Sequence, residues 1–332
     1  MTISALPSGS SSSWSPLCPH PGWEGIYGGL LSRCTSCGLH ATSAQPEFVY
    51  DETYFTEDGK AGYNFESEFA RAYDAARFES EIRRLEARGL KGSVLDIGCA
   101  SGAFLVHAQA HRWEVAGVEV ADFARERTES LLGVPLSRSL DGLPAGKSFD
   151  VVTLHHVLEH IHEPLPFLRD EVAPRVGRLL VVEVPNFSSL ASRVHGPRWR
   201  DLRPDQHVFH YSPALLSRLL SLAGFRPVRV TTLWEPLWSL RTALNSLRLL
   251  PGLARRPRHD APRSAGDLAG VSDPAAYRRP TGLRLVLTEA SRLALWPMVR
   301  GLELAGLGER LVVEAEPLPD SSRPVRKSGQ KS

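Results

Sequence analysis

The sequence predicts an α/β protein: a doubly wound, mostly parallel seven-stranded sheet, preceded by a small cysteine module and interrupted late in the chain by a helical insertion. Three observations point there. Short β-branched runs alternate with helical periods from about residue 90 to 235, the pattern of a parallel sheet covered on both faces. One of those runs, Val94-Leu95-Asp96-Ile97, passes directly into a glycine-bearing turn and then a helix. The composition, 42% hydrophobic and 23% charged over 332 residues, suits a globular chain with one large core and additions. A net charge of +2 does not mark a whole-chain nucleic-acid binder.

Residues 1–16 are rich in Ser and Pro, offer little to bury and are expected to be a disordered tail. They contain no basic stretch leading into an apolar run, so no secretory or transit signal is expected, and the expected location is cytoplasmic. Residues 17–48 form the cysteine module. A core follows over residues 49–235, opening with a helix through residues 65–90 whose apolar positions include Phe69, Tyr73, Ile82 and Leu85, with Gly89 at its C-terminal cap. Strands are predicted at residues 93–97, 114–119, 149–155, 178–184 and 227–233, with a weaker one at 134–136. Helices are predicted at 102–111, 121–132, 164–173 and 213–223, the last with Ser212 as N-cap and Pro213 in its first turn.

From residue 236 to 308 two apolar helical stretches, 237–250 and 281–307, flank a linker rich in Pro and Arg. Charged residues such as Arg284, Glu289, Arg292, Arg300 and Glu303 exclude a spanning helix there, so 237–307 is expected to lie on a membrane surface or in a dimer contact. Residues 309–316 return as a last strand beside 227–233, and 317–332 form a second polar tail.

The chemistry concentrates at the turn Asp96-Ile97-Gly98-Cys99-Ala100-Ser101-Gly102. Its glycines let a ligand approach the backbone closely, and the helix that follows exposes free N–H groups. Glu119 ends the next strand, 23 residues after Asp96, where a carboxylate accepts both hydroxyls of a ribose. A nicotinamide dinucleotide is the competing ligand. It needs glycines at G-x-G-x-x-G spacing, whereas this turn offers Gly98-x-x-x-Gly102, and Asp96 would repel a diphosphate.

With these residues in view, the stretch from Leu90 to Leu233 resembles the catalytic core of class I S-adenosylmethionine-dependent methyltransferases. The closest likeness is to the small-molecule type whose fourth strand runs into a His-Val-Leu-Glu-His segment, here residues 156–160. The resemblance implies a Rossmann-like fold and S-adenosylmethionine as cofactor. It places Asp96, Gly98, Cys99, Ala100 and Gly102 at the methionine end and Glu119 at the ribose. The loop 139–143, with Leu140 and Asp141, would then lie at the adenine, and His155 would line the same crevice. Ala100 departs from the family's usual glycine, and Ser139 or Leu140 stands where an adenine-binding carboxylate is common.

His155, His156, His160 and His162 crowd the end of the fourth strand, and His207 and His210 precede the helix at Pro213. Methyl transfer to oxygen or carbon requires removal of a proton, for which histidine titrates in the right range, so His160 and His207 are the candidate catalytic residues. Ordering a loop is the alternative role for His160. Convergence of Glu159, His160, His207 and His210 on a divalent metal is another. Tyr54, Phe55 and Tyr63 are expected to close the crevice from the other side.

In the module, Cys34-Thr35-Ser36-Cys37 has the spacing of a metal knuckle, and Cys18 with His20 supplies an upstream half. The module resembles the small zinc ribbons that precede some sugar and natural-product methyltransferases, which implies a structural zinc on Cys18, His20, Cys34 and Cys37. Pro21 stands where the family's second cysteine is expected, so a degenerate ribbon held by packing of Trp23, Ile26 and Leu30 is the alternative. The partner expected from all this is a small-molecule acceptor, namely a sugar, secondary-metabolite or quinone-like hydroxyl, or a carbon. Two other functions compete: a non-catalytic cofactor-binding protein, and an RNA-modifying enzyme that uses residues 255–263. No aromatic residues interleave with the arginines of that segment.

Overall fold

The computed structural model describes residues 17–18, 22–44, 54–55, 68–234 and 296–319. In the cysteine module, β1 (Trp23–Ile26), β2 (Leu31–Cys34) and β3 (His40–Thr42) pair antiparallel in that order. The 20-residue helix α1 (Glu68–Ala87) then delivers the chain to the main sheet.

The main sheet alternates as its periodicity predicts: β4 (Ser93–Ile97), α2 (Ala103–Ala110), β5 (Glu114–Val118), α3 (Asp122–Leu132), β6 (Phe149–His155) and β7 (Val176–Pro185). Strand β4 pairs parallel with β5 and β6, and β6 pairs parallel with β7. Side chains of β7 show why its sequence is an unbroken apolar run. Leu179 and Val181 enter the cluster that α1 and α2 cover, while Leu180 and Val182 enter the cluster on the opposite face. Both faces are buried, so neither tolerates routine polar residues.

Between β6 and β7 the predicted helix 164–173 is irregular. A single α-turn, Pro164–Pro166, widens into a π-helix over Phe167–Val172 and tightens into a 3-10 turn, Ala173–Arg175. Beyond β7 come the short α4 (Leu190–His195), the two-residue β8 (Phe209–His210), α5 (Pro213–Leu222) and β9 (Phe225–Leu233). Ser212 caps α5 by accepting the Leu215 N–H at 3.4 Å, as its position predicts. Helix α6 (Trp296–Leu304) lies within the second apolar stretch of the expected insertion. The remainder of that insertion, 236–295, falls outside the described residues. The last strand, β10 (Arg310–Pro317), inserts between β7 and β9 and runs antiparallel to both, giving the order β5-β4-β6-β7-β10-β9.

The described residues thus give six strands where seven are expected. At the weak position only an isolated parallel bridge, Val118 to Ser137, forms. Pro135 has no N–H to donate, and the Leu136 N–H is taken by Glu129 Oε1 at 2.8 Å, so a ladder cannot propagate through 134–136. Strand β8 is not predicted at all. It pairs with β3 through His40–His210 and Ala41–Phe209, and so ties the cysteine module to the loop before α5. No described helix is long and apolar enough to cross a membrane.

Candidate functional site

The crevice lies at the carboxyl ends of β4, β5 and β6. The turn after β4 holds three left-handed residues, Gly98 (φ 74°), Ala100 (φ 44°) and Gly102 (φ 69°). A Cβ on Gly98 would stand 2.5 Å from Val157 Cγ2, and one on Gly102 would collide with Thr128. Both positions therefore need glycine for conformation and for space. Ala100 adopts the left-handed conformation with a side chain, at a strain of roughly 1 kcal/mol. It is held there by its N–H to Glu119 Oε2 (2.9 Å) and its carbonyl, which accepts from Thr128 Oγ1 (2.8 Å).

Glu119, 5% exposed, also accepts the Ala121 N–H through Oε1 at 2.8 Å. Burial raises its pKa, opposed by the Ala121 and Ala100 N–H groups and reinforced by Asp96. Its oxygens take the Ala121 and Ala100 N–H groups, and the Val120 N–H also contributes, which still leaves acceptor capacity for a ligand hydroxyl. The backbone of 137–139 runs alongside, since the Glu119 N–H donates to Ser137 O at 2.9 Å. Leu140 is buried and Asp141 exposed, and both line a hollow shared with Gly146, Asp170, Glu171, Pro174 and Arg175. Of the expected cofactor residues, Gly98, Ala100, Gly102 and Glu119 stand together at this turn, whereas Asp141 lines that hollow and Asp96, Cys99 and His155 are turned into the core. Tyr54 and Phe55 cover the crevice as expected: Phe55, 2% exposed, packs with Phe123, Ala100 and Ala121. Burial first, and then the charges of Glu159 and Glu119, push the Tyr54 hydroxyl up to about 12, against a lowering effect of Arg203. Tyr63 and His20 lie outside the described residues.

Asp96 faces inward. Its Oδ1 accepts Thr153 Oγ1 at 2.7 Å and lies 3.4 Å from His155 Nδ1, while His155 Nε2 lies 3.3 Å from both oxygens of Glu81 on α1. The imidazole also meets Phe78 and Phe104, each at 5.1 Å between centroids. Burial works against a charge on His155, but Glu81 and Asp96 outweigh it and raise the pKa to about 9. His156 (φ 56°) reaches Glu159 at 3.2 Å and Glu183 at 3.0 Å. Its side chain keeps 40% of its surface exposed, so burial opposes its charge only in part, and the two carboxylates carry the pKa to about 10. Burial would raise the Glu183 pKa, yet Arg310, Arg77 and His156 hold it well below the usual carboxylate range.

A second group of histidines sits where β8 meets β3. His160 and His207 pack edge to face at 4.8 Å, and His210 lies 5.5 Å from Phe187, on which His40 packs at 4.4 Å. Thr42 Oγ1 donates to His207 O and lies 3.1 Å from His210 Nε2. Burial lowers the pKa of all four, to about 4 for His40 and about 3 for His210. Glu159 opposes the shift at His160, and Arg33 adds to it at His40.

In the module, Cys18 and Cys34 sulfurs lie 3.4 Å apart, and one sulfur each from Cys18, Cys34 and Cys37 falls within 4.8 Å of the others. Burial opposes ionisation of Cys34, but N–H donors from Cys37 and Ser36 and the Cys18 thiol outweigh it and lower the pKa. Cys99 is buried within the turn after β4, and desolvation raises the pKa of its thiol.

The charged partners Glu81, Glu183, Arg77 and Arg310 are absent from the sequence-based site. One signal marks Glu183, a carboxylate inside the apolar run Leu179-Leu180-Val181-Val182-Glu183-Val184, where an unpaired charge would not be buried.

Residues 69–230 match the profile of a family described as a methyltransferase domain. No curated protein sequence matches the chain. Among solved structures, the chain is similar to a SAM-dependent methyltransferase from Archaeoglobus fulgidus (20% identity, 73% of this chain and 94% of that one, TM-score 0.42). It is also similar to a SAM-dependent methyltransferase of Thermotoga maritima, described as a possible histamine N-methyltransferase (16% identity, 75% and 94%, TM-score 0.41). A third similar structure is the magnesium protoporphyrin IX methyltransferase of Synechocystis PCC 6803 with bound SAH (20% identity, 49% and 78%, TM-score 0.39).

Proposed function

We propose that the class I methyltransferase domain at residues 69–230 moves a methyl group from S-adenosylmethionine to a small-molecule acceptor, a sugar, secondary-metabolite or quinone-like hydroxyl, or a carbon. The observation that carries this reading is the pair of buried acids at the ends of adjacent parallel strands, around a turn whose two glycines leave no room for a Cβ and whose Ala100 N–H binds Glu119. Glu119 takes the ribose through its remaining acceptor capacity. The turn 98–102 holds the methionine end, with Asp96 and His155 fixing its floor, and the backbone of 137–139 with Leu140 borders the adenine.

The reaction is an in-line displacement. The acceptor's lone pair forms a bond to the methyl carbon, the carbon–sulfur bond breaks, S-adenosylhomocysteine leaves, and the acceptor proton passes to a base. Positioning supplies most of the acceleration. His160 is that base. Its Nδ1–H donates to Gln206 O at 3.1 Å, which leaves Nε2 as the acceptor, and His207 packs beside it. Burial keeps both imidazoles neutral, as a base must be.

Residues 49–235 with the strand of 309–316 carry this work, and 17–48 buttress it through the β3–β8 pairing. The three sulfurs of Cys18, Cys34 and Cys37 fit a structural zinc, with His20 as fourth ligand. A reducing cytoplasm suits the four cysteines, none of them in a disulfide.

Titration calorimetry with S-adenosylmethionine and S-adenosylhomocysteine tests the cofactor. Wild type should release heat at a one-to-one ratio. Glu119→Gln should weaken binding by roughly 10- to 100-fold, the worth of charge-assisted hydrogen bonds, with its fold checked by circular dichroism. Absence of heat from wild type overturns the proposal.

A further inference from the structure

Beside the crevice, the turn that follows β6 carries Val157 against Gly98 and brings Glu159 and His160 against His207 from the loop before β8. One ligand atom from each of Glu159, His160 and His207 lies within 4.8 Å of the other two. Ligands held at about 2.1 Å around one ion stand roughly 3 to 4 Å apart, so the three need close by no more than about 1 to 2 Å.

Three further features point to an ion. Glu159 is 1% exposed; its Oε1 lies 3.2 Å from His156 Nδ1, while its Oε2, buried, has no hydrogen-bond partner among the described residues. An idle oxygen on a buried carboxylate is costly unless something cationic or donating meets it. His160 is oriented as ligating histidines are, with Nδ1 held by a backbone carbonyl, Gln206 O, at 3.1 Å. The loop is rigidly placed, since the Val208 N–H donates to Glu159 O at 2.7 Å and closes the ring of backbone around the three side chains.

We infer that Glu159, His160 and His207 bind a divalent cation of the zinc or manganese kind and leave coordination positions open toward the acceptor. Two imidazoles and one carboxylate are the donor set that suits such ions, and three protein ligands with open positions are the arrangement of catalytic sites. The inference deepens the proposed function and rests on it for what enters the open positions: an acceptor oxygen, which the ion would orient and acidify. In the ion-bound state the proton of the acidified acceptor passes to solvent, and the free-base role of His160 belongs to the ion-free state.

The test uses the full chain, stripped with a chelator and titrated with Mn²⁺ while the electron paramagnetic resonance of the free ion is followed. Manganese prefers oxygen and nitrogen donors, so the thiolates of the cysteine module do not compete. One Mn²⁺ per chain is expected. Glu159→Gln and His207→Asn should each weaken it at least tenfold while keeping the wild-type circular dichroism and affinity for S-adenosylhomocysteine. Should Glu159→Gln fail to fold, His207→Asn alone carries the test. No Mn²⁺ uptake by wild type, or unchanged affinity in a folded variant, overturns the inference. The titration needs no cofactor, so a chain that takes up the ion but not S-adenosylhomocysteine overturns only the methyltransferase reading, and the reverse result overturns only the ion.

Discussion

His155 and His210 are both buried imidazoles beside an aromatic ring, yet one has its pKa raised to about 9 and the other lowered to about 3. Burial opposes the charge at both. The difference lies in what the surrounding elements bring: α1 and β4 place Glu81 and Asp96 against His155, whereas β3 offers His210 a threonine hydroxyl and a second histidine. The crevice floor is therefore an ionic framework, and the junction between module and core is a neutral, packed one. Histidine is compatible with either, and its neighbours decide which.

The largest expected effect comes from breaking the ionic side. Glu81→Gln leaves a buried imidazolium with one carboxylate instead of two, and should cost about 3 kcal/mol in a chemical denaturation experiment. A loss under about 1 kcal/mol would mean that His155 is neutral and the contrast is false.

The pH dependence of stability, measured with a chelator present, should show both regions at once. The folded pKa of His155 is raised above its ordinary 6.5, so its contribution is complete below pH 6.5 and is lost as pH rises through about 9. His156, raised to about 10, extends the alkaline limb further. His40 and His210 have depressed folded values, so their contribution is present above pH 6.5 and is lost as pH falls toward about 4 and about 3. Glu81, also depressed, adds to the acid limb. Stability should peak near neutrality, and His155→Phe should shrink the alkaline limb, leaving the part that His156 carries, and should weaken the share of the acid limb that Glu81 carries. An alkaline limb unchanged by that substitution would assign it to another group.

The smallest effect is expected on the neutral side. His210→Phe gives up one hydrogen bond to Thr42 and keeps the aromatic packing on Phe187, for a cost of about 1 kcal/mol in thermal denaturation. A cost approaching that of Glu81→Gln would show that the junction is not the tolerant region described here.

Much of this architecture is legible in the sequence because it rests on local periods. The alternation of β-branched runs with helices, the strand into Gly98 and Gly102, and the acid at Glu119 all follow from residues that are neighbours in the chain. The return of residues 309–316 beside β9 is legible too, from a lone apolar run after a long interruption. Less legible are pairings across distance. Strand β8 has two residues, too few for a period, and exists because β3 presents an edge to it. The expected strand at 134–136 has the right composition but a proline and a diverted N–H.

The chain's own order thus determined the layered sheet, the glycine turn after β4 and the concentration of histidines near β6, because hydrophobic period and glycine placement act over a few residues. Only the tertiary structure decided which of those histidines are charged and which carboxylates face them. Electrostatic energy depends on separation in space, and Glu81 meets His155 across 74 residues of chain, as Thr42 meets His210 across 168.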